Sequence, residues 1–490
     1  MKCLIWNNLI FRGFLGYCEG QYKKIMMHHS LSKNLLFFIL MTAIPWSSRA
    51  QEQGLDDRIN DAFTPIANWW GAVVLHNFPG TSIPTIIILL VGGAMFFTLY
   101  FGFVNVRHFL TAINTVRGKY DELDHQETRA SDLSIEGDVK DTIRNESKEG
   151  EVSHFQALST AVSGTVGNGN IAGVALAIAV GGPGATFWMI LCGLLGMSTK
   201  FVECTLGVRY RDIGEDGTVY GGPMYYLTKG LKERGLGGIG KFLAVTFALL
   251  CIGASFGGGN AAQSNQAAMQ LVNSFGMTGG SARTIIGLIM MTFVGIIIIG
   301  GIKRIASVTE KIVPFMALMY ILACLYIIGT NFRFVDDAFG MIFSEAFNPQ
   351  AGLGGLLGVL ITGFRRAAFS NEAGAGSASI AHAAVKTKYP ASEGLVALLE
   401  PFIDTVVICT MTALVIIIFN GDSSVFDYGG VGGKVIIDGV PVEGAGITAA
   451  AFSKYIVFAG PFLTIAVVLF AVSTMISWSY YGLQSWIFLF

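Results

Sequence analysis

The sequence has few charged residues and no excess of either sign. Charged side chains make up 13% of the 490 residues, whereas roughly 25% is usual in soluble proteins. Lys and Arg together number 32, and Asp and Glu together number 33. A chain balanced in this way lacks the basic surface of a nucleic-acid-binding protein and the acidic block of an interaction tail. The charge balance therefore excludes those two classes.

Several motifs are also missing. The seven cysteines contain no C-x-x-C pair, and five lie inside or at the ends of apolar stretches, so we expect buried thiols rather than disulfides or metal ligands. No H-E-x-x-H motif occurs, and a membrane enzyme is the weakest alternative. The 62 glycines follow no Gly-X-Y period. Glycine inside apolar stretches instead indicates close helix packing and broken helices.

Apolar residues are abundant, at 52% of the chain, and this predicts a polytopic membrane protein. The N-terminus has the form of a signal peptide, because Lys33 precedes an apolar run at 35–44 and small residues that end at Ala50. We expect a leader at 1–50 and an external segment at 51–83, with the mature N-terminus outside. An uncleaved anchor helix is the alternative.

The transmembrane domain is predicted at 84–480, followed by a truncated C-terminal end at 481–490. Its nine apolar windows are about 18 residues or longer, enough to cross hydrocarbon. They lie near 84–104, 155–180, 183–207, 240–260, 284–301, 312–330, 353–385, 393–419 and 455–480. Lys and Arg concentrate in alternate loops, beginning with 105–153, which the positive-inside rule makes cytoplasmic. Lys200 is counted in the next cytoplasmic loop. We expect a multi-pass protein of the plasma (inner) membrane.

The second apolar window is interrupted by Gly, Ser, Thr and Asn at 163–170. Each Gly weakens a helix by about 1 kcal/mol, and backbone groups freed in the bilayer must be buried in protein or line a wet cavity. A cavity implies a ligand: a half-helix N-terminus suits a carboxylate, while free carbonyls and hydroxyls suit a small cation. A Gly/Ser packing seam is the alternative.

The seventh window has a second interruption at 369–377, preceded by Arg365 and Arg366. Counted from the first broken span, this is the sixth helix. Breaks in the first and sixth helices are what an inverted repeat of five plus five helices predicts. Glu372 lies in this break and needs a partner. It pairs with one of the arginines, or it holds a substrate ammonium or acts in a gate.

Three further polar sets are candidates. Gln263 follows a Gly-rich stretch and can donate to a carboxylate, or bond across a helix interface. Ser473 and Thr474 can offer oxygen ligands to a cation, or bond to their own helix. Asp404 is a relay or gate candidate, with helix pairing as the alternative.

Six stretches of this sequence resemble the alanine or glycine:cation symporter family. They lie at 154–157, 165–175, 181–185, 221–225, 369–374 and 477–482. The resemblance covers about residue 60 to the end. It implies an all-α, leucine-transporter-type 5+5 inverted-repeat fold with an extra N-terminal helix, C-terminally truncated before its ninth and tenth core helices. It also implies import of alanine or glycine with Na⁺ as the co-transported ion, and no cofactor.

The resemblance further suggests roles for individual residues. Asn168, Gly169 and Gln263 would hold the substrate carboxylate, and Phe369 and Asn371 would face the side chain and the ammonium. The Na⁺ ligands would come from two helices: main-chain carbonyls near Ser163 and Val166, with Ser473 and Thr474. Thr165 lies between the two sets and serves either.

Two other functions stay open on the sequence. One is a symporter driven by H⁺, with Glu372 or Asp404 as the proton site. The other is an amino acid receptor or channel, which would bind its ligand without accumulating it against a gradient.

Overall fold

A computed structural model describes residues 55–120, 150–277, 282–347, 355–421 and 424–490. The predicted leader, part of the external segment and most of the cytoplasmic loop lie outside these ranges. The chain divides into two compact units, Met1–Val73 and Val74–Phe490. The described part of the first unit belongs to helix α1 (Leu55–Val74), which contains Pro65.

The second unit is mostly helical. Its helices are α2 (Thr85–Tyr100), α3 (Val104–Arg107), α4 (Phe109–Val116), α5 (His154–Thr165), α6 (Val174–Gly181), α7 (Gly184–Arg209), α8 (Pro223–Glu233), α9 (Gly237–Ala254), α10 (Ala262–Ser274), α11 (Ala282–Ile298), α12 (Gly301–Thr330), α13 (Val335–Ala346), α14 (Gly355–Asn371), α15 (Ala378–His382), α16 (Pro390–Ala397), α17 (Leu399–Pro401), α18 (Thr410–Asn420), α19 (Ala445–Tyr455) and α20 (Ala459–Leu489). π-Helical segments occupy Gly169–Gly173, Ser255–Ala261 and Phe402–Cys409, and short 3₁₀ turns occupy Phe332–Phe334 and Val431–Gly433.

Two small antiparallel hairpins complete the described structure. Strand β1 (Asp212–Ile213) pairs with β2 (Val219–Tyr220), placing Asp212 opposite Tyr220. Strand β3 (Val435–Ile437) pairs with β4 (Val440–Val442), placing Val435 opposite Val442. Both hairpins lie in connections between helices.

Within the described ranges, helix occupies most of each of the nine predicted apolar windows. Five helical stretches of the described chain are long and apolar enough to cross a membrane: Gly184–Arg209, Gly237–Ser274, Gly301–Thr330, Pro390–Asn420 and Ala459–Leu489. A sixth is formed if α5 and Gly169–Gly181, which meet at a bend of 52°, count as one broken span. Helices α2 and α11 are apolar but shorter, with 16 and 17 residues.

Helices α7 and α20 are central. In the most apolar part of α20, 67% of residues are buried, against 28% in α12. Helix α20 packs against α5, α9, α10 and α12, while α7 packs against α2, α14 and α16. This packing brings the broken span beginning with α5 against α20, and the one beginning with α14 against α7.

The first predicted break is confirmed. Helix α5 ends at Thr165, and Val166 takes an extended conformation with ψ of 94°. The side chain of Asn170 then caps the unwound segment, because its Oδ1 accepts the backbone N–H of Gly167 at 3.0 Å. The backbone N–H of Asn168 donates to Gln263 Oε1 at 3.3 Å. Groups freed in the bilayer thus find side-chain partners, as they must away from water.

The second predicted break is also confirmed, between Asn371 and Ala378. Gly374 and Gly376 have positive φ values of 96° and 87°, a conformation that glycine adopts without steric cost. The freed N–H of Gly374 donates to Glu203 Oε1 at 2.5 Å, and that of Ala373 donates to Asn371 Oδ1 at 3.0 Å. The second break therefore contacts α7, which carries Glu203.

Candidate functional site

A cavity of about 470 Å³ lies beside the first break. The π-helical segment after the break forms one wall, α10 forms a second, and α14 forms a third. Six of the residues singled out from the sequence line this cavity: Asn168, Gly169, Gln263, Arg365, Arg366 and Phe369. The structure therefore brings together residues that are more than 200 positions apart in the chain.

Asn168 is the most distinctive of the six. Its side chain is 4% exposed, and neither its Oδ1 nor its Nδ2 has a hydrogen-bond partner among the described residues. Leaving a buried polar group unpaired costs about 1–3 kcal/mol, so such groups need an explanation. An amide that both donates and accepts is suited to a polar ligand in the cavity.

The two arginines of α14 differ in their surroundings. Arg365 is exposed at the cavity, whereas Arg366 is buried beneath it. The Arg366 guanidinium lies over the ring of Phe369, with Cζ 5.5 Å from the ring centroid. Phe369 itself is 71% exposed. The cavity thus has a cationic side and an aromatic side, which suits an anionic group joined to a small apolar one.

The four predicted Na⁺ ligands lie where α5 meets α20. Ser163 Oγ donates to the carbonyl of Ser473 at 2.6 Å. Thr474 Oγ1 is buried and has no partner within the described ranges, and it lies 2.6 Å from where a Cβ on Gly167 would be. Val166, at the end of α5, is fully buried. Oxygen atoms of the break and of α20 are therefore close together, as a hard cation requires.

Asn371 and Asp404 belong to a different polar cluster behind the cavity. Asn371 Nδ2 donates to Thr405 Oγ1 at 3.0 Å, and Thr405 donates to Asp404 Oδ2 at 2.6 Å. Asn170 Nδ2 donates to the other carboxylate oxygen of Asp404 at 2.6 Å. This cluster joins the first break, the end of α14 and the π-helical segment Phe402–Cys409. Asn371 is 1% exposed and does not line the cavity.

Two other predicted residues have local partners. The carboxylate of Glu372 accepts a short hydrogen bond from Ser377 Oγ inside the second break, rather than pairing with either arginine. Thr165 Oγ1 bonds back to the carbonyls of Ala161 and Val162, at 3.4 and 3.3 Å. Thr165 therefore belongs to the end of α5 and not to the cavity wall.

Comparison with known proteins identifies the family. Residues 72–490 match the model of the sodium:alanine symporter family. The chain belongs to this family. It is therefore a multi-pass membrane protein and a secondary transporter rather than an enzyme.

Several members of the family are similar along most of their length. The sodium/alanine symporter AgcS of Methanococcus maripaludis is 41% identical over 400 residues, covering 81% of this chain and 79% of AgcS. The amino-acid carrier protein AlsT of Bacillus subtilis is 36% identical over 399 residues, covering 80% and 73% of the two chains. The protein named "Probable sodium/glutamine symporter GlnT", also from Bacillus subtilis, is 37% identical over 333 residues, covering 68% and 64%.

This family member has a buried charged network that was not predicted from its sequence. Lys200 was counted in a cytoplasmic loop, and that assignment was wrong: it lies inside α7, fully buried, with its Nζ 3.1 Å from Glu400 Oε1. Glu393 binds two histidines, His382 at 2.5 Å and His154 through a shorter contact. Charged residues inside apolar windows were the available signal, since such residues are costly unless paired.

The π-helical segments were missed as well. Ser255–Ala261 opens the helix that carries Gln263, and Phe402–Cys409 carries Asp404. π-Bulges are frequent at functional sites. In each case the change of helical pitch lies within a few residues of a polar side chain that faces one of the two breaks.

Proposed function

We propose that this protein imports small neutral amino acids, alanine and/or glycine, together with Na⁺. The proposed fold is a leucine-transporter-type arrangement of two inverted five-helix repeats with an extra N-terminal helix. The observation that carries the proposal is the cavity beside the first break, where buried polar groups of Asn168 and Arg366 have no partner among the described residues. A zwitterion offers both kinds of group that such a cavity would bind.

For the substrate, we assign the carboxylate to Asn168, Gly169 and Gln263, at the positive end of the half-helix Gly169–Gly181. Phe369 would contact the small side chain. Asn371 would reach the ammonium only when its bond to Thr405 opens, so we place it in a bound state that differs from the present one. Thr165 would act between the substrate and ion sites.

For Na⁺, we assign the main-chain carbonyls near Ser163 and Val166 and the hydroxyls of Ser473 and Thr474. The support is the unpaired hydroxyl of Thr474 beside the break. An ion bound here would fix the end of α5, and the same unwound segment forms the substrate cavity. Each ligand should therefore tighten binding of the other by the same factor.

The proposed cycle is alternating access in the plasma membrane, with the mature N-terminus outside. Arg365, Arg366, Glu372 and Asp404 lie at the two breaks and are the gate candidates. One Na⁺ per neutral amino acid moves one net charge inward, worth about 2.3 kcal/mol per 100 mV. A tenfold Na⁺ gradient adds about 1.4 kcal/mol. Together they sustain an accumulation of roughly 500-fold.

The relatives support this assignment. The name of AgcS joins sodium with alanine, and that of GlnT joins sodium with glutamine. Sodium is common to both names, whereas the amino acid differs between them. The relatives' names therefore support coupling to Na⁺ more strongly than they support any one amino acid as the substrate.

The test is uptake of labelled alanine and glycine into proteoliposomes. We expect accumulation under an inward Na⁺ gradient at equal pH on both sides, and none under a pH gradient without Na⁺. Asn168→Ala should raise the KM for alanine about tenfold, the value of a hydrogen bond to a charged group. Thr246→Val, which removes an exposed hydroxyl bonded to its own helix, is the matched control and should leave uptake unchanged.

Coupling to H⁺ is the second candidate, because Asp404 is a fully buried carboxyl between the two breaks. Uptake driven by the pH gradient alone, and lost in Asp404→Asn, would favour it. Saturable binding of alanine without accumulation under either gradient would indicate a receptor or channel instead.

A further inference from the structure

Arg366 is a buried cation whose donors are incompletely used. It lies in α14, three residues before Phe369, and is 8% exposed. Its Nε and Nη2 have no hydrogen-bond acceptor in the part of the chain that the structure describes. These two nitrogens form one edge of the planar guanidinium, and a carboxylate binds such an edge through two parallel hydrogen bonds.

The charge of Arg366 also lacks a direct counter-ion. None of the ion pairs found among the described residues includes it. Asp404 attracts it at longer range, but that carboxylate already accepts hydrogen bonds from Asn170 and Thr405. Glu372, one of the partners that the sequence allows for Arg365 or Arg366, accepts a hydrogen bond from Ser377 instead. Burying a guanidinium without a paired anion is costly. Its position is best explained by an anionic ligand that pairs with its charge and accepts its free hydrogen bonds.

The backbone of the first broken span makes room for this guanidinium. A Cβ on Gly169 would lie 2.8 Å from Arg366 Nη2, and a Cβ on Gly173 would lie 2.2 Å from Nη1. Both glycines belong to the π-helical segment that begins the second half of the span. The cation therefore lies against the same turn whose N-terminal end carries partial positive charge. Two sources of positive potential meet at one wall of the cavity that Arg366 lines.

We propose that Arg366 receives the carboxylate of the transported substrate through its Nε and Nη2 edge, with the unpaired amide of Asn168 as a second contact. This rests on the proposed function, in which the cargo is an amino acid, and it makes a free carboxylate the feature that the cavity selects. An amine of the same size and shape would leave the guanidinium unpaired, and an amide would offer it a neutral oxygen in place of a charged edge, so both would bind more weakly.

The experiment compares alanine with alaninamide, which keeps the ammonium and the methyl group but has no carboxylate. Apparent Kd values come from ligand-induced thermal shifts of the purified full-length chain in Na⁺ buffer. We expect the wild-type protein to bind alanine at least about 30-fold more tightly than alaninamide, as removing one partner of a buried charged pair implies. Arg366→Gln should abolish this preference by weakening only the binding of alanine, and Arg366→Lys should retain part of it.

Two further variants keep the test decisive. Arg333→Gln changes an exposed arginine of a short 3₁₀ turn and should keep the wild-type preference. Gly173→Ala retains the charge but displaces the guanidinium, so it should reduce the preference even if Arg366→Gln does not fold. A wild-type preference preserved in Arg366→Gln or in Gly173→Ala, or no preference in the wild type, would overturn the assignment.

The outcome is separable from that of the transport assay. Accumulation of alanine with no role for Arg366 in the preference defeats this inference alone. A preference that depends on Arg366, without accumulation under any gradient, defeats the proposed transport function and leaves the carboxylate site in place.

Discussion

Removing Lys200 should destabilise this protein more than removing its partner Glu400. The Lys200 ammonium and the Glu400 carboxylate are 3.1 Å apart, and both side chains have 0% exposure. At an effective dielectric constant of about 20, two unit charges at this distance attract by about 5 kcal/mol. Much of that attraction offsets the cost of burying both charges, so the pair matters mainly when it is broken.

The neighbours of the pair make the two substitutions unequal. Breaking a buried pair by removing one partner costs about 3–5 kcal/mol. In Glu400→Gln the ammonium is still attracted by Glu203 and Glu372, so we expect a loss of stability near the lower end, about 3 kcal/mol. In Lys200→Met, Glu400 and Glu203 remain together and repel each other, so we expect the upper end, about 5 kcal/mol.

The assay measures the midpoint of thermal unfolding in detergent. Its readout is the amount of protein that stays monodisperse after heating to each temperature. We expect the order wild type, Glu400→Gln, Lys200→Met, with the double variant above Lys200→Met because it leaves fewer unpaired charges. Lys229→Met is the control, since its pair with Asp212 is 36% and 55% exposed and such pairs contribute about 1 kcal/mol or less. A wild-type midpoint in Lys200→Met, or a double variant no better than that single one, would refute the reasoning.

Three further outcomes follow from the site. Thr474→Val removes the unpaired hydroxyl of α20 and should raise the Na⁺ concentration for half-maximal alanine uptake about tenfold; an unchanged Na⁺ dependence would remove Thr474 from the ion site. Gly167→Ala places a Cβ 2.6 Å from Thr474 Oγ1 and should impair uptake even at saturating Na⁺, which full activity would contradict. His154→Ala removes one of the two histidines bound to Glu393 and should lower the unfolding midpoint. The control is Phe155→Ala, which removes a residue that is 40% exposed and should lower the midpoint less. Equal midpoints would count against a structural role for the bond between His154 and Glu393.

The two breaks could be predicted because their cause is local. Glycine and small polar residues in an apolar window weaken the helix wherever they occur, and the bilayer allows unwinding only in buried or wet surroundings. The predicted intervals 163–170 and 369–377 accordingly contain the observed ends of α5 and α14. The apolar windows follow from composition in a similar way, since hydrocarbon thickness sets the minimum length of a span, and five or six of the described helical stretches reach that length.

The contacts between breaks could not be predicted, because they depend on which face each helix turns to its neighbour. Asn371 is predicted to face the substrate ammonium, and in this structure it donates to Thr405. Glu372 is predicted to pair with Arg365 or Arg366 or to act on the substrate or in a gate, and in this structure it accepts from Ser377. A change of pitch in a π-helical segment rotates every later side chain. Lys200 was misplaced because the positive-inside rule counts loop charges, and a buried, paired lysine in a span does not follow it.

The first break uses its polar groups in two different ways. Asn170 is bonded on both sides, by donating to Asp404 at 2.6 Å and accepting from Gly167 at 3.0 Å. On the cavity side, Asn168 and Arg366 have donors without partners among the described residues. A ligand shifts a conformational equilibrium only by its difference in affinity for the two states. Because Asn168 and Arg366 line the cavity, a bound ligand gains most in the conformation that brings these unpaired groups into contact with it. Asn170 has its bonds complete in the present structure, so its side chain offers a ligand no unpaired group.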